Sequence, residues 1–378
     1  MSANISRMPM SCVLPSKTLR LCWTAIGLLL LAFVSGCASN KGAAPTEHVF
    51  FPPAPDEPRI QYLMSFGSEA ELGGRGKFNT FIVGREKLLR PIWKPYGITA
   101  TPGKLYVVDT MPHNLSITDL ALSKLRYIRP AGNGAMKMPI NVAVAKDGTI
   151  YVTDTERGQV IIFNSAGNYV STLGTYGKDK PCGVAVDGER IYVTDLASHC
   201  VRVYSQSKCE LLLTLPVDPT NNESKLYQPT NVAVDRKGRI YVSDTGGFAV
   251  QVYDAQGQHL RKIGELGLTL GNFALPKGIA VDQEQRLYVA DASTGVIQLF
   301  DDEGRLLMYF GSPTGSTVGG TYLPAGLAVD YDNVGRFKRY VAPGYEIEYL
   351  IYVTNQAGPN KVSVYGFLKR KQAPPLAK

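Results

Sequence analysis

Apolar and polar residues alternate in short runs along most of the chain, and Gly, Asp or Asn residues separate the runs. The run VQVYD at 250–254 is typical, because apolar residues occupy every second position before a closing Asp. A period of two predicts strands, and the small and polar residues between them predict tight turns. We therefore expect many short β-strands.

The strand pattern belongs to a repeat. Six segments open with a Pro, continue to a second apolar run that ends in Asp or Asn, and then to a third; several add a Gly turn and a fourth run. The opening residues recur every 42–48 positions: Pro95, Pro139, Pro181, Pro229, Pro276 and Pro324. Four strands per 40–50 residues predict a propeller blade, and a ring of blades covers the sheet faces that one blade leaves exposed.

The shared motif P-x-[GN]-[VI]-A-V … [LI]-Y-V-[TS]-D … [VI]-x-[VL]-[YF] resembles the NHL repeat over about 95–365. The resemblance implies an all-β protein, a six-bladed β-propeller of four-stranded antiparallel blades. It also implies a rigid face for proteins, peptides or sugars, although fold alone does not fix function. The expected repeats are 95–138, 139–180, 181–228, 229–275, 276–323 and 324–367.

The sixth repeat lacks a fourth strand, because KVSVYGF (361–367) is followed by the basic tail 368–378. Residues 59–67 (RIQYLMSFG) resemble the fourth strands of other repeats. We therefore expect this amino-terminal strand to complete the last blade, which closes the ring and removes a free edge. We therefore predict that residues 59–367 form one domain.

Two segments depart from the repeat: 68–94 before the first blade and 331–349 inside the last. Loops of this length in compact domains are usually functional or disordered. Both contain aromatic residues, so we expect them to pack on the ring. Propeller topology places 68–94 on the face usual for ligands and 331–349 on the opposite face.

The amino terminus has the pattern of a targeting signal. Basic residues precede an apolar run at 21–36 that is short for a membrane span. The run ends in Val34-Ser35-Gly36-Cys37, which resembles the bacterial lipobox and implies a signal peptide 1–36 and acylation of Cys37. An uncleaved transmembrane anchor is the alternative. Residues 37–58 predict a tether, and Ala38 after the modified Cys favours the outer membrane of the cell envelope.

Charge and cysteines narrow the function classes. The net charge is +8, and the first 36 residues contribute three basic residues and no acid. The rest is mildly basic, which argues against a nucleic-acid surface. Cys182, Cys200 and Cys209 remain in the mature chain, and we expect buried free thiols. Haem, nucleophile-elbow and P-loop motifs are missing from the sequence.

Candidate chemistry is sparse. The Asp that ends each second run predicts turn capping rather than a carboxylate ring. His113 and His199 share one repeat position, and VTDLASHCV (193–201) resembles the peptidyl-hydroxyglycine amidating lyases, whose propellers hold zinc with three histidines; here a third is missing. Asn141 and Asn231 replace Gly where gluconolactonase-like propellers bind calcium, but without a carboxylate partner.

We therefore predict a monomeric, membrane-anchored binding or scaffold propeller, without a cofactor, for a protein, peptide or glycan ligand. A metal-dependent enzyme with zinc or calcium is the alternative, with His113 and His199 as the weak ligands. Arg85 is the candidate contact for an anionic ligand. The predicted binding face comprises Tyr96, His113, Asn141, His199, Asn231 and Arg85.

Overall fold

The computed structural model describes residues 48–72, 90–218, 220–312 and 317–371. The predicted signal peptide, Cys37, Arg85 and most of the segment 68–94 lie outside these ranges. Within them, no helix has the length and apolar character that a membrane span requires.

Six antiparallel sheets form the fold, one for each repeat, and this confirms the predicted six-bladed propeller. Blades one to three contain β3 (Pro95–Thr101), β4 (Lys104–Asp109), β5 (Asn114–Asp119) and β6 (Lys124–Ile128); β7 (Pro139–Val144), β8 (Ile150–Asp154), β9 (Gln159–Phe163) and β10 (Tyr169–Leu173); and β11 (Pro181–Asp187), β12 (Arg190–Asp195), β13 (Cys200–Ser205) and β14 (Leu211–Leu215).

Blades four to six continue in the same order, from the innermost strand outwards. They contain β15 (Pro229–Val234), β16 (Ile240–Asp244), β17 (Ala249–Tyr253) and β18 (His259–Ile263); β19 (Pro276–Val281), β20 (Leu287–Asp291), β21 (Val296–Phe300) and β22 (Leu306–Phe310); and β23 (Pro324–Asp330), β24 (Tyr345–Asn355) and β25 (Val362–Arg370).

The last blade is completed from the amino terminus, as predicted. Strand β2 (Ile60–Phe66) pairs antiparallel with β25, in a register from Ile60 opposite Phe367 to Phe66 opposite Val362. A short strand β1 (Phe50–Phe51), which the sequence pattern did not predict, adds a fifth strand outside β2. Both ends of the described fold therefore meet in one sheet, and the edge of β25 that the last repeat leaves open is paired with β2.

The core lies between neighbouring blades. One cluster joins Tyr106 and Val108 of the first blade to Val142 and Val152 of the second. A second cluster crosses the closure and packs residues of the last blade against Leu105 of the first. Each apolar face of a sheet is therefore buried by the next sheet, and a single blade would leave both of its faces exposed.

The insertion 331–349 is ordered, as expected. It forms a short helix (Val334–Phe337) and a 3-10 turn (Lys338–Tyr340), and Phe337 is buried beside the closing strand. Gln61 of β2 is fully buried and donates to the Tyr340 carbonyl (2.8 Å) while it accepts from the Ala342 N–H (3.0 Å). The insertion thus stabilises the ring closure.

The described part of 68–94 lies against the ring. Its helix Glu69–Leu72 follows β2 directly, and Ser68 and Pro91 form an isolated bridge. A further 3-10 turn, Gly132–Gly134, precedes blade two. Because Leu72 and Ile92 join the core cluster at the closure, these described residues pack as expected.

Candidate ligand-binding face

We define the upper face as the one formed by the linkers that precede each opening Pro and by the turns between second and third strands. The first strand of every blade starts at this face and runs down the central channel. The lower face holds the remaining turns and the insertion 331–349. The number of residues between a side chain and the opening Pro of its blade therefore determines how near it lies to the channel mouth.

A buried Asp or Asn fixes each linker of the upper face. The Asp154 carboxylate, which is fully buried, accepts hydrogen bonds from the N–H groups of Lys137 (2.6 Å) and Met138 (3.1 Å) before the opening Pro, and from Arg157 N–H (3.0 Å) in its own turn. The equivalent residues are Asp109, Asp195, Asp244, Asp291 and Asn355. Their predicted structural role is confirmed, and it extends from the turn to the neighbouring linker.

The two histidines serve the turn geometry of the upper face. His113 and His199 are exposed and both have φ of 50°, in the left-handed region. Gly158 and Gly295 take the same position in other blades, also with positive φ, and His is among the residues that tolerate this region. A ring nitrogen of His199 hydrogen-bonds the Tyr227 carbonyl.

The histidines do not fit a zinc site. They belong to the first and third blades of the propeller. Among the described residues, no group of three or more His, Cys, Asp or Glu could hold a metal ion. The described residues therefore do not provide the three histidines with which the amidating lyases hold zinc.

Asn141 and Asn231 close the channel together. Nδ2 of Asn141 donates to Oδ1 of Asn231 (2.7 Å), and Oδ1 of Asn141 accepts from the Val142 N–H (2.8 Å). Both amide oxygens therefore already accept a hydrogen bond, and calcium takes six to eight oxygen ligands, far more than these two side chains supply. The predicted residues do meet, but as a bar across the channel.

Glycine makes this layer narrow. Four blades place Gly where the other two place Asn: Gly97, Gly183, Gly278 and Gly326. A Cβ on Gly183 would lie 2.6 Å from the Asn231 Cα, so the inner strands approach too closely for any side chain that points at the neighbour. Beyond this layer the channel is a cavity of about 240 Å³, lined by the first strands of the six blades.

Three side chains converge just above the bar. Tyr96, Cys182 and Lys277 are the second residues of the first strands in alternate blades. The Lys277 Nζ lies 5.2 Å from the centre of the Tyr96 ring. Burial lowers the pKa of Lys277, and Lys94 lowers it further, while Cys182 opposes the shift. Burial raises the pKa of the Cys182 thiol to about 12.

The sequence prediction found only Tyr96 of these three. Cys182 and Lys277 take the same repeat position, so aligning the residue after each opening Pro would have found them. We call Tyr96, Cys182 and Lys277 the mouth cluster.

Exposed aromatic side chains surround the mouth cluster. Trp93, Tyr227 and Tyr322 each lie two residues before an opening Pro, and about half of each side chain is exposed (55%, 55% and 46%). Tyr176 is also exposed, and its hydroxyl accepts from Lys137 Nζ (2.7 Å). These aromatic residues were missed in the sequence, because they lie in linkers rather than in the strands that carry the periodicity.

The expectation for the cysteines is wrong at one position. Cys182 and Cys200 are buried free thiols, as predicted, but Cys209 is exposed. It lies in the turn between β13 and β14 and has a φ of 57°, so its side chain is outside the sheet that would bury it.

Comparison with known proteins agrees with the geometry. The family model described as "NHL repeat" matches residues 136–163 and 226–253, in blades two and four. The chain contains NHL repeats within its β-propeller. NHL repeat-containing protein 3 of Mus musculus is 27% identical over 161 residues, which are 39% of this propeller and 40% of the mouse protein. The alignment thus spans about two fifths of that relative.

Solved structures share the fold at low identity. A gluconolactonase from Xanthomonas campestris is 13% identical, with a TM-score of 0.55 over 87% of this chain and 99% of its own. A protein of unknown function from Bacteroides thetaiotaomicron is 17% identical, with a TM-score of 0.54 over 74% of this chain and 70% of its own. Regucalcin, a calcium-binding protein from Agrobacterium tumefaciens, is 12% identical, with a TM-score of 0.51 over 76% and 95%. These similarities establish the propeller architecture alone.

Proposed function

We propose that this propeller is a lipid-anchored protein of the bacterial cell envelope that binds a protein, peptide or glycan partner on its upper face. The exposed aromatic residues Trp93, Tyr227 and Tyr322 around the channel mouth carry the proposal. Aromatic side chains supply most of the binding energy at many interfaces, because they bury a large area with few rotatable bonds.

The aromatic residues are held in place before a ligand arrives. Asp109 accepts hydrogen bonds from the N–H groups of Trp93 (2.6 Å) and Lys94 (2.9 Å), and Asp244 accepts from Tyr227 N–H (2.9 Å). Asn355 accepts from Tyr322 N–H (3.0 Å). A face that is ordered before binding loses less entropy when the ligand binds.

Exposed lysines lie on the upper face near the mouth. Lys94, Lys137 and Lys180 lie in linkers of the upper face and are exposed. Such a face suits a ligand that combines apolar or ring surfaces with anionic groups, as peptides and acidic glycans do.

The anchor is the second part of the proposal. Acylation of Cys37 would hold the protein at the outer membrane through the residues that precede strand β1, and several acyl chains give stable attachment where one does not. The test is metabolic labelling with palmitate: the full-length protein takes up label, and Cys37→Ser takes up none and leaves the membrane fraction. Equal labelling of both would refute the anchor.

A photo-crosslinking amino acid tests the face in living cells. The residue p-benzoylphenylalanine replaces Trp93 or Tyr322, and replaces the exposed Tyr309 on the outer strand β22 as the matched control. We expect one discrete adduct from the upper-face positions and none from Tyr309. Adducts at Tyr309 only, or at none of the three, would contradict the proposal.

A metal-dependent propeller enzyme is the alternative function. Its support is the fold shared with the gluconolactonase, at 13% identity. The donors of His113, His199, Asn141 and Asn231 do not converge on a metal position, so the geometry favours the binding function.

A further inference from the structure

We infer that the channel mouth is a subsite for one carboxylate group of the ligand, bound between the Lys277 ammonium and the free amide N–H of Asn231. The subsite rests on the proposed function, since it names the chemistry that the upper face recognises. Three observations from the described part of the chain carry it: a cation without an ion pair, a buried donor without a partner, and close packing of the inner strands below them.

Within the described ranges, the Lys277 ammonium has no counter-charge. Among the described residues it takes part in no ion pair. Its Nζ lies over the Tyr96 ring, 5.2 Å from the ring centre. Most of the side chain is buried, and Lys94 adds a second positive charge nearby. A desolvated cation without an acceptor is costly, and a bound anion removes that cost.

The Asn231 amide supplies the second donor. The side chain is 5% exposed, its Oδ1 accepts from Asn141, and its Nδ2 has no partner within the described structure. Asn231 follows Thr230 in β15 as Gly278 follows Lys277 in the neighbouring β19, so Asn231 lies one layer deeper in the channel than Lys277. A buried donor without an acceptor is rare in native proteins.

The size of the mouth selects a small planar anion. The Gly layer brings the inner strands into contact and the Asn141–Asn231 bond bars the channel, so the ligand group stops at the mouth. A carboxylate has two oxygen atoms for two donors and one charge for one ammonium. In the proposed complex, one carboxylate oxygen accepts from the Lys277 ammonium and the other accepts from the Asn231 amide.

The carboxylate could end a peptide or belong to an acidic sugar, and matched probes distinguish the two. The peptide pair is N-acetylalanine and its amide, and the sugar pair is glucuronate and glucose. The lysines of the full-length protein in detergent are labelled by ¹³C-dimethylation, and their signals are followed by NMR. The signal that disappears in Lys277→Arg is assigned to Lys277.

We expect one of the acids to shift the Lys277 signal in a saturable way and to raise its apparent pKa, while its neutral analogue does neither. Lys277→Met weakens binding about ten-fold or more, because it removes the charge and keeps the length. The control Lys262→Met, on the exposed side of β18, leaves affinity unchanged.

Asn231→Asp tests the amide alone. The variant keeps the oxygen that accepts from Asn141, replaces the free donor with a second acceptor and places an internal counter-charge beside Lys277. Binding should fall about ten-fold while the melting temperature is retained. Wild-type affinity in this variant or in Lys277→Met, or no saturable shift with either acid, overturns the subsite. Crosslinking at Trp93 that persists in Lys277→Met would then leave the proposed binding face standing without the carboxylate.

Discussion

Removal of the Asp154 carboxylate tests how the upper face is built. Asp154 is fully buried and holds three backbone N–H groups, those of Lys137 (2.6 Å), Met138 (3.1 Å) and Arg157 (3.0 Å). In Asp154→Ala these groups lose a charged acceptor. The control is Asp147→Ala, because Asp147 is exposed and serves only its own turn through Thr149.

The size of the effect follows from the bonds. Hydrogen bonds to a charged acceptor contribute about 1.5–3 kcal/mol each, so three amount to roughly 5–9 kcal/mol. Water reaches the exposed Lys137 and Met138 in the variant, and the buried carboxylate no longer has to be desolvated. We therefore expect a net loss of about 3 kcal/mol, or roughly 6 °C in the melting temperature for a protein of this size.

Thermal unfolding followed by circular dichroism measures the loss. Asp154→Asn should give an intermediate value, because one oxygen still serves Met138 and Arg157. Asp147→Ala should stay within about 0.5 kcal/mol of the wild type. A loss below about 1 kcal/mol in Asp154→Ala, or equal losses in both alanine variants, would refute the idea that buried carboxylates fix the linkers.

Three further outcomes are expected in the same assay. Gly183→Ala should cost about 2 kcal/mol, because its Cβ would meet backbone at 2.6 Å, whereas Gly335→Ala, with open space around it, should be neutral; equal effects would contradict the close approach. Burial raises the pKa of Asp195, but hydrogen bonds from the backbone and from Arg202 outweigh burial and bring this pKa below 3.8. The stability that Arg202→Gln loses should therefore be full above about pH 5 and should shrink as the pH falls through that lower pKa. A stability difference that does not change with pH would be evidence against the Arg202–Asp195 pair. Lys277→Met without ligand should raise the stability by about 1 kcal/mol, because burial disfavours the ammonium; a decrease would mean that the lysine has a stabilising partner.

The fold was predictable because each blade repeats its own pattern. The opening Pro, the Asp at the end of the second strand and the alternation in VQVYD are local signals, and they recur often enough to fix the period. Ring closure by β2 was also predictable, because an apolar strand at one end of the chain matched a missing strand at the other.

The site was less predictable, since it consists of residues from different blades. The Asn141–Asn231 bond spans the channel from blade two to blade four, and no local pattern encodes such a contact. The mouth cluster likewise depends on how the first strands face one another. Cys209 shows the limit within a blade: periodicity predicts strands, but the turn that exposes this residue interrupts the period.

The measurement that tests the central claim most directly is elemental analysis of the purified protein, prepared without added metal and without an affinity tag that contains histidine. The claim is that the mouth recognises an organic ligand and that its histidines shape turns. We predict zinc and calcium well below one atom per chain, with the same content in His199→Ala and Asn231→Ala. One zinc or calcium per chain that is lost in either variant would contradict the claim and identify a metal-dependent propeller.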